Sequence, residues 1–143
     1  MQLTPYLNFN GQCAEAFAFY KDLFKGTIVY QGTYGEMPEG PPIPPEGRDC
    51  IMHVHLQIGE QALLGSDALP GATDVCAGGY AKPQGLWVSI GVDTAEEGHR
   101  VFDALAQGGQ IAMPFDKTFW STGFGMVTDR FGTPWMVNVS SPE

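Results

Sequence analysis

The chain has 143 residues, 43% of them hydrophobic, which is one domain's worth of sequence and enough to bury roughly two-thirds of the surface its unfolded form exposes. Sixteen acidic residues against 7 basic ones, a formal charge of −9, disfavour a nucleic-acid backbone or an anionic membrane as partner, because both reward Lys and Arg. A neutral or cationic small molecule stays compatible, and with no apolar run near the roughly 18 residues that crossing a bilayer takes, and no leader-like start, the expected location is the cytoplasm.

In chain order, Leu3 to Phe9 alternates Leu3, Leu7 and Phe9 with Thr4, Tyr6 and Asn8, the period of a strand with one apolar face. Asn10-Gly11 ends it. From Cys13 to Lys25, Ala16, Phe19, Tyr20, Leu23 and Phe24 form an apolar stripe at helical spacing, closed by Gly26. Thr27 to Tyr34 reads as a second strand, rich in β-branched and aromatic residues. Residues 35–49, with five prolines and three glycines, are poorly suited to a ladder or a helix and are expected as an irregular excursion.

Cys50 to Ile58 alternates cleanly. Met52, Val54, Leu56 and Ile58 form an apolar back, and Ile51, His53, His55 and Gln57 a mostly polar front. Gly59-Glu60 turns the chain into a fourth strand, Gln61 to Asp67. A Gly-, Pro- and Ala-rich connection follows, placing a module over residues 1–68, a linker over 69–84 and a second module over 85–143. There, Leu86 to Val92 is a strand with Trp87 on its polar side. Thr94 with Glu97 three residues later is a capping-box signature opening a helix that runs to about Gln107, before Gly108-Gly109. A strand near Gln110 to Met113 precedes a closing hairpin over 123–138, GFGMVTDRFGTPWMVN. Its second arm sends Trp135, Val137 and Val139 one way and Met136 and Asn138 the other. The Asp129-Arg130 turn reads as structural.

A shift of 82 residues lays Ala14 to Gly26 on Glu96 to Gly108, matching Phe19 with Val101, Tyr20 with Phe102 and Leu23 with Leu105. The preceding strands match at a shift of 83. Each half therefore reads β-α-β-β-β, a duplicated architecture. Cys13, Cys50 and Cys76 are odd in number and lack a C-x-x-C pair, so they read as reduced thiols, the first two packed.

Three stretches, PYLNFNGQCAEAFAFYKDLF, HVHLQIGEQALLGSD and GFGMVTDRFGTPWMVN, together resemble the PhnB-like branch of the vicinal oxygen chelate superfamily, which includes glyoxalase, bleomycin-resistance proteins and extradiol dioxygenases. The resemblance spans nearly the whole chain. It implies an α+β fold of two β-α-β-β-β modules forming a curved mixed sheet around a cavity, a homodimer, and a site on the concave sheet face. In the superfamily's metalloenzymes, a divalent ion is held by side chains from the first and last strands of each module. Those positions fall here at Thr4 (or Pro5 without a gap), near Leu63, at Trp87 and at Met136. Such residues do not make a cage for a hard cation, so no metal cofactor is expected.

A competing signal is the pair His53 and His55 on one strand face, roughly 6 to 7 Å apart at about 3.3 Å per residue. With Asp67 they would complete a divalent metal site, and their bland reading is polar lining or a subunit contact. By alternation Tyr6, Asn8, Trp87, Met136 and Asn138 share the front faces with the two histidines. Trp87 there either stacks on a ligand or covers a cavity floor. Asn138 in a core would leave its amide unpaired at a cost. Phe119, Trp120 and Phe124 read as core first, and as dimer contact or pocket wall after that. Gly123 and Gly125 beside Phe124 let a backbone or ligand come close. His99 reads as solvated. No Ser-His-Asp or Cys-His arrangement is supported by spacing.

The favoured expectation is a metal-independent protein binding a small organic ligand, cationic or aromatic in character, with Tyr6, Asn8, His53, His55, Trp87, Phe124, Met136 and Asn138 as its lining. The alternative is a metal-dependent lyase, isomerase or dioxygenase using His53 and His55. A third and weaker reading is an assembly partner.

Overall fold

In the computed structural model, residues 1–37, 43–74 and 78–140 are described. Cys76 and the proline-rich stretch 38–42 lie outside them. The chain divides into two compact units, Met1–Ala81 and Lys82–Glu143, each with the order β-α-β-β-β. The first unit contains β1 (Tyr6–Phe9), α1 (Cys13–Phe24), β2 (Thr27–Thr33), β3 (Ile51–Ile58) and β4 (Gln61–Asp67). Its sheet runs β1-β4-β3-β2, with β1 parallel to β4 and the rest antiparallel. The second unit contains β5 (Val88–Val92), α2 (Ala95–Ala106), β6 (Gln110–Asp116), β7 (Phe124–Thr128) and β8 (Pro134–Val139). Its sheet repeats the plan as β5-β8-β7-β6. The α+β architecture that the resemblance implies is present, as two mixed four-stranded sheets, one per unit.

In the first unit the helix covers one sheet face and builds the core there. Leu7, Phe9, Val54, Leu56 and Leu63 are buried on that side with Cys13, Ala16, Phe17, Tyr20 and Leu23 of α1. The buried stripe is rotated from the expected one. Phe17 is fully buried, whereas Phe19 is half-buried and leans on Tyr20 at 5.8 Å between ring centroids. The cause lies on the sheet: a Cβ at Gly65 would come within 2.6 Å of the Phe17 ring, so the glycine makes the seat that Phe17 fills. Phe9 meets Phe17 edge-on at 6.0 Å, a favoured aromatic geometry.

The end of α1 also departs from expectation. The left-handed residue is Lys25, φ 56°, and not Gly26. Gly26 N–H donates to Lys21 O at 3.0 Å, satisfying a terminal carbonyl. Gly26 is needed for another reason, since a Cβ there would stand 2.7 Å from Gln57 O of β3. Gly109 plays that part in the second unit, where a Cβ would overlap Thr128 O of β7. The structural repeat therefore pairs Gly26 with Gly109, one residue beyond the sequence match with Gly108.

Several element ends shift. β1 starts at Tyr6, and Leu3 is 95% exposed. Pro5 has no N–H for the ladder, although its carbonyl accepts from Leu64 N–H at 3.1 Å. β2 stops at Thr33, because Tyr34–Glu36 forms a 3₁₀ turn; a second such turn spans Pro45–Gly47. β5 starts at Val88, leaving Leu86 and Trp87 exposed before it, and β6 extends to Asp116.

The second unit follows the same logic under α2. Thr94 Oγ1 accepts from Glu97 N–H at 3.2 Å, the expected N-cap, and the Glu97 carboxylate pairs with Arg100 at 2.6 Å. Val101, Phe102 and Leu105 bury against Val92, Val127, Trp135, Val137 and Val139. Gly125 is the counterpart of a seat, since a Cβ there would come within 2.7 Å of the Phe102 ring. His99, expected in solvent, is exposed yet rests edge-on against Phe115 at 4.6 Å. The 129–133 turn is held by Asp129, only 4% exposed. Its Oδ1 accepts from Phe131 N–H and Thr133 N–H at 2.9 and 3.0 Å, and its Oδ2 from Trp135 Nε1–H at 2.8 Å.

Candidate small-molecule binding faces

Because each helix covers one side of its sheet, the opposite side is free to carry chemistry, and strand parity decides which residues stand there. In the first unit β1 places Tyr6 beside Leu64 and Asn8 beside Ser66. β3 places His55 beside Leu64 on one flank and Tyr30 on the other, with His53 beside Gly32. These residues form the front face. Tyr6, Asn8, His53 and His55 are thus brought to one side of one sheet, as the alternation implied.

The front residues also touch. Tyr6 Oη lies 3.1 Å from His53 Nδ1, with the two rings stacked at 5.7 Å and 25°. Tyr30 approaches the same imidazole at 6.0 Å between centroids. Its ring passes over Gly32, where a Cβ would meet Tyr30 Oη at 2.6 Å. Tyr6 and Tyr30 are each about half exposed, at 51% and 50%, so this is a surface of rings and not a core cluster. Farther along β3, His55 Nε2 is 2.9 Å from Gln57 Oε1, and Gln57 Nε2 donates to Gly59 O at 2.9 Å. Tyr30 was missed by sequence reasoning. The irregularity between Ile28 and Tyr30 shifts the register of β2, and that shift has no signature in a run of strand-forming residues.

Asp67 is the clear misplacement. Expected as a third ligand beside the two histidines, it stands on the helix side with Phe9 and Gly65 and is 2% exposed. Its Oδ1 accepts from Cys13 N–H at 3.0 Å and its Oδ2 from Ile51 N–H at 2.8 Å, while its backbone carbonyl accepts from Tyr34 Oη–H at 2.8 Å. The carboxylate ties the start of α1 to the start of β3, which is structural work. Burial, helped by the Asp67 charge, pushes the Cys13 thiol well up. Burial likewise raises Cys50, with Asp67 and Asp49 adding, and it raises Tyr34, where Tyr6 and then Asp67 add. Neither cysteine is therefore a reactive thiolate at neutral pH.

In the second unit, β8 places Met136 between Ser89 and Met126, and Asn138 between Gly91 and Phe124. β6 adds Met113 beside Met126. This front is made of thioethers and rings. Trp120 meets Phe124 edge-on at 5.3 Å, and Phe119 meets Trp120 at 4.7 Å. Phe119 is 97% exposed and Trp120 49%, which corrects the expectation that this aromatic group is core. Trp87 stands one residue before β5, at the parity of Ser89, and is 37% exposed. Asn138 Oδ1 is buried and has no hydrogen-bond partner among the described residues, the costly condition foreseen for a packed amide. Met113 and Met126 were missed, although the alternation of Phe124, Met126 and Thr128 carried the signal.

The positions that carry metal ligands in related metalloenzymes can now be assigned by register. Leu64, and not Leu63, is the counterpart of Met136, since both pair across to the first strand and to the middle of the third; Leu63 is buried under α1. Thr4, Leu64, Trp87 and Met136 offer no set of hard donors. Among the described residues no group of three or more His, Cys, Asp or Glu is placed to hold a metal ion. His53 and His55 on the first front have no third such side chain beside them among the described residues. Nor does any described helix have the length and apolarity to cross a membrane.

Comparison with known proteins adds the following. Residues 1–138 match the sequence profile of the family described as 3-demethylubiquinone-9 3-methyltransferase. The chain is 37% identical over 147 aligned residues to protein YjdN of Escherichia coli strain K12, covering 97% of this chain and 95% of the relative. Among solved structures, it is similar to protein PA1353 from Pseudomonas aeruginosa, at 42% identity, 99% coverage of both chains and a TM-score of 0.85. The PhnB protein from Bacillus cereus follows at 25% identity, 98% and 100% coverage and a TM-score of 0.76. A glyoxalase/bleomycin resistance protein/dioxygenase family enzyme from Burkholderia phytofirmans shares the fold at 14% identity, 95% coverage of each chain and a TM-score of 0.62.

Proposed function

The chain belongs to the family described as 3-demethylubiquinone-9 3-methyltransferase, the PhnB-like branch of the vicinal oxygen chelate superfamily, and from that premise we propose that it binds a small organic molecule on the front faces of its sheets without a metal ion. The observation that carries this reading is the Tyr6-His53-Tyr30 cluster. Two half-exposed phenol rings flank an imidazole on the side of the sheet that the helix leaves open. Large rings kept at a surface and held in place by one another present flat apolar area at little further entropic cost.

The second front, with Met126, Met136, Phe124 and Trp120, suits the same purpose, because thioethers adapt their shape to flat guests. The charge of −9 favours a cationic or neutral guest over an anionic one. A cation also gains from exposed aromatic faces. The donor sets described above support binding without a metal.

The family description names a methyl transfer to a demethylubiquinone. Binding accounts for the rings and thioethers placed on these faces, and the contact of Tyr6 Oη with His53 Nδ1 at 3.1 Å holds the two stacked rings together. Each unit also exposes an apolar strand side chain, Val29 in the first and Ile111 in the second, of the kind a subunit contact covers, and the proposed working form is a cytoplasmic homodimer. Native mass spectrometry of the protein as purified tests the reading. The expected result is a dimer free of stoichiometric metal after desalting, which takes up organic molecules from an added mixture. One divalent ion retained per chain would replace this reading with metal-dependent chemistry.

A further inference from the structure

The hydrogen-bond chain on β3 fixes more than position. Gln57 donates through Nε2 to Gly59 O at 2.9 Å, and a carbonyl accepts only, so the amide orientation of Gln57 is settled. Its Oε1 is then turned to His55 Nε2, 2.9 Å away. An amide oxygen also only accepts, so His55 must carry its proton on Nε2. In the neutral imidazole this leaves Nδ1 with its lone pair. Nδ1 accepts no hydrogen bond from the described residues. The neighbours of His55 across the strands are Tyr30 and Leu64, a ring and an aliphatic side chain, neither of which donates to it.

We infer that His55 Nδ1 is a preset hydrogen-bond acceptor for a ligand hydroxyl, and that the ligand of the first unit's front face is a flat ring bearing an O–H group, a phenol or an enol. Gln57 is the positioning residue, acting through the tautomer it imposes. The inference rests on the proposed small-molecule binding and names the chemistry that binding selects. A ring lying against Tyr30 and Leu64 would bring its hydroxyl to the imidazole edge. An analogue without the O–H would leave the acceptor unpaired beneath the bound ring, and loss of a donor to such an acceptor is discriminated more strongly than loss of a methylene. His53 is not fixed in the same way, because its Nδ1 faces the Tyr6 hydroxyl at 3.1 Å, a group that donates or accepts.

The test pairs a tautomer readout with two probes. Long-range proton-nitrogen NMR of ¹⁵N-histidine-labelled protein should show His55 as the Nε2–H form, and an Nδ1–H form would overturn the inference at once. Titration with 2-naphthol and with 2-methoxynaphthalene should then show 2-naphthol binding at least tenfold more tightly. Gln57→Leu, which removes the acceptor on Nε2, should mix the tautomers and erase most of that preference. Equal affinity for the two probes with the Nε2–H form intact would overturn the hydroxyl assignment while leaving the binding face standing. No perturbation of His53, His55 or Tyr30 signals by either probe would overturn both.

Discussion

The two units solve one packing problem alike and spend their free faces differently. Under each helix the pattern repeats closely, from the ring seats at Gly65 and Gly125 to the close approaches at Gly26 and Gly109. On the front, equivalent positions diverge: His53 stands where Phe124 does, His55 where Met126 does, Leu64 where Met136 does, Ser66 where Asn138 does, and Tyr6 where Ser89 does. The first front is hydrogen-bonded and imidazole-bearing, the second soft and aromatic. The helix sides are constrained by close packing, which tolerates little change of volume. The fronts carry no such constraint, so their difference points to function.

The difference extends to how each unit is closed, and the largest expected effects lie there. Each unit buries a carboxylate that accepts from donors of that unit: Asp129 pins a hairpin turn through Phe131, Thr133 and Trp135, and Asp67 joins a helix start to a strand start through Cys13 and Ile51. Asp129→Ala should cost about 3 to 4 kcal/mol in urea unfolding, through buried N–H groups left without acceptors, and Asp67→Ala about 2 to 3 kcal/mol. The reverse order would break the comparison by showing the helix-to-strand tie to be the stronger one. A loss below about 0.5 kcal/mol for Asp67→Ala would return that carboxylate to the list of functional groups.

A smaller effect of opposite sign sharpens the contrast between the fronts. Asn138 Oδ1 is buried without a partner among the described residues, so replacing it with an apolar side chain of similar shape removes an unmet demand. Asn138→Leu is expected to leave stability unchanged or to raise it by up to about 1 kcal/mol. Urea midpoints of the two proteins measure it. A loss of more than about 1 kcal/mol would mean that the amide is part of the fold's own hydrogen bonding.

Much of the fold was legible because the helix sides are written in period. The alternation of Val54 and Leu56 in β3 and of Trp135, Val137 and Val139 in β8 marks buried positions that the structure fills, and Thr94 caps α2 as its residue type demands. The failures have local causes. Phe17 and Phe19 are equally apolar, and only the glycine seat on β4 decides which is buried. Phe119 and Trp120 read as core from composition, but burial of an aromatic depends on what faces it, and these rings face outward. For the candidate faces, parity alone placed Tyr6, His53, His55, Met136 and Asn138. Asp67 was lost because residues adjacent in a motif can point to opposite sides, and Tyr30 because a strand irregularity carries no composition of its own. The donor directions that single out His55 depend on an amide orientation, which only coordinates supply.

The most direct test of front-face binding is an NMR titration of protein labelled at methionine methyls, histidine rings, and leucine and valine methyls with 2-(aminomethyl)naphthalene, a flat ring carrying one positive charge. Signals of Met126, Met136 and His53 should shift saturably, while those of Leu56 and Val137, on the helix sides of the same sheets, stay in place. Saturable shifts confined to Leu56 and Val137, with the front-face signals unmoved, would contradict the account.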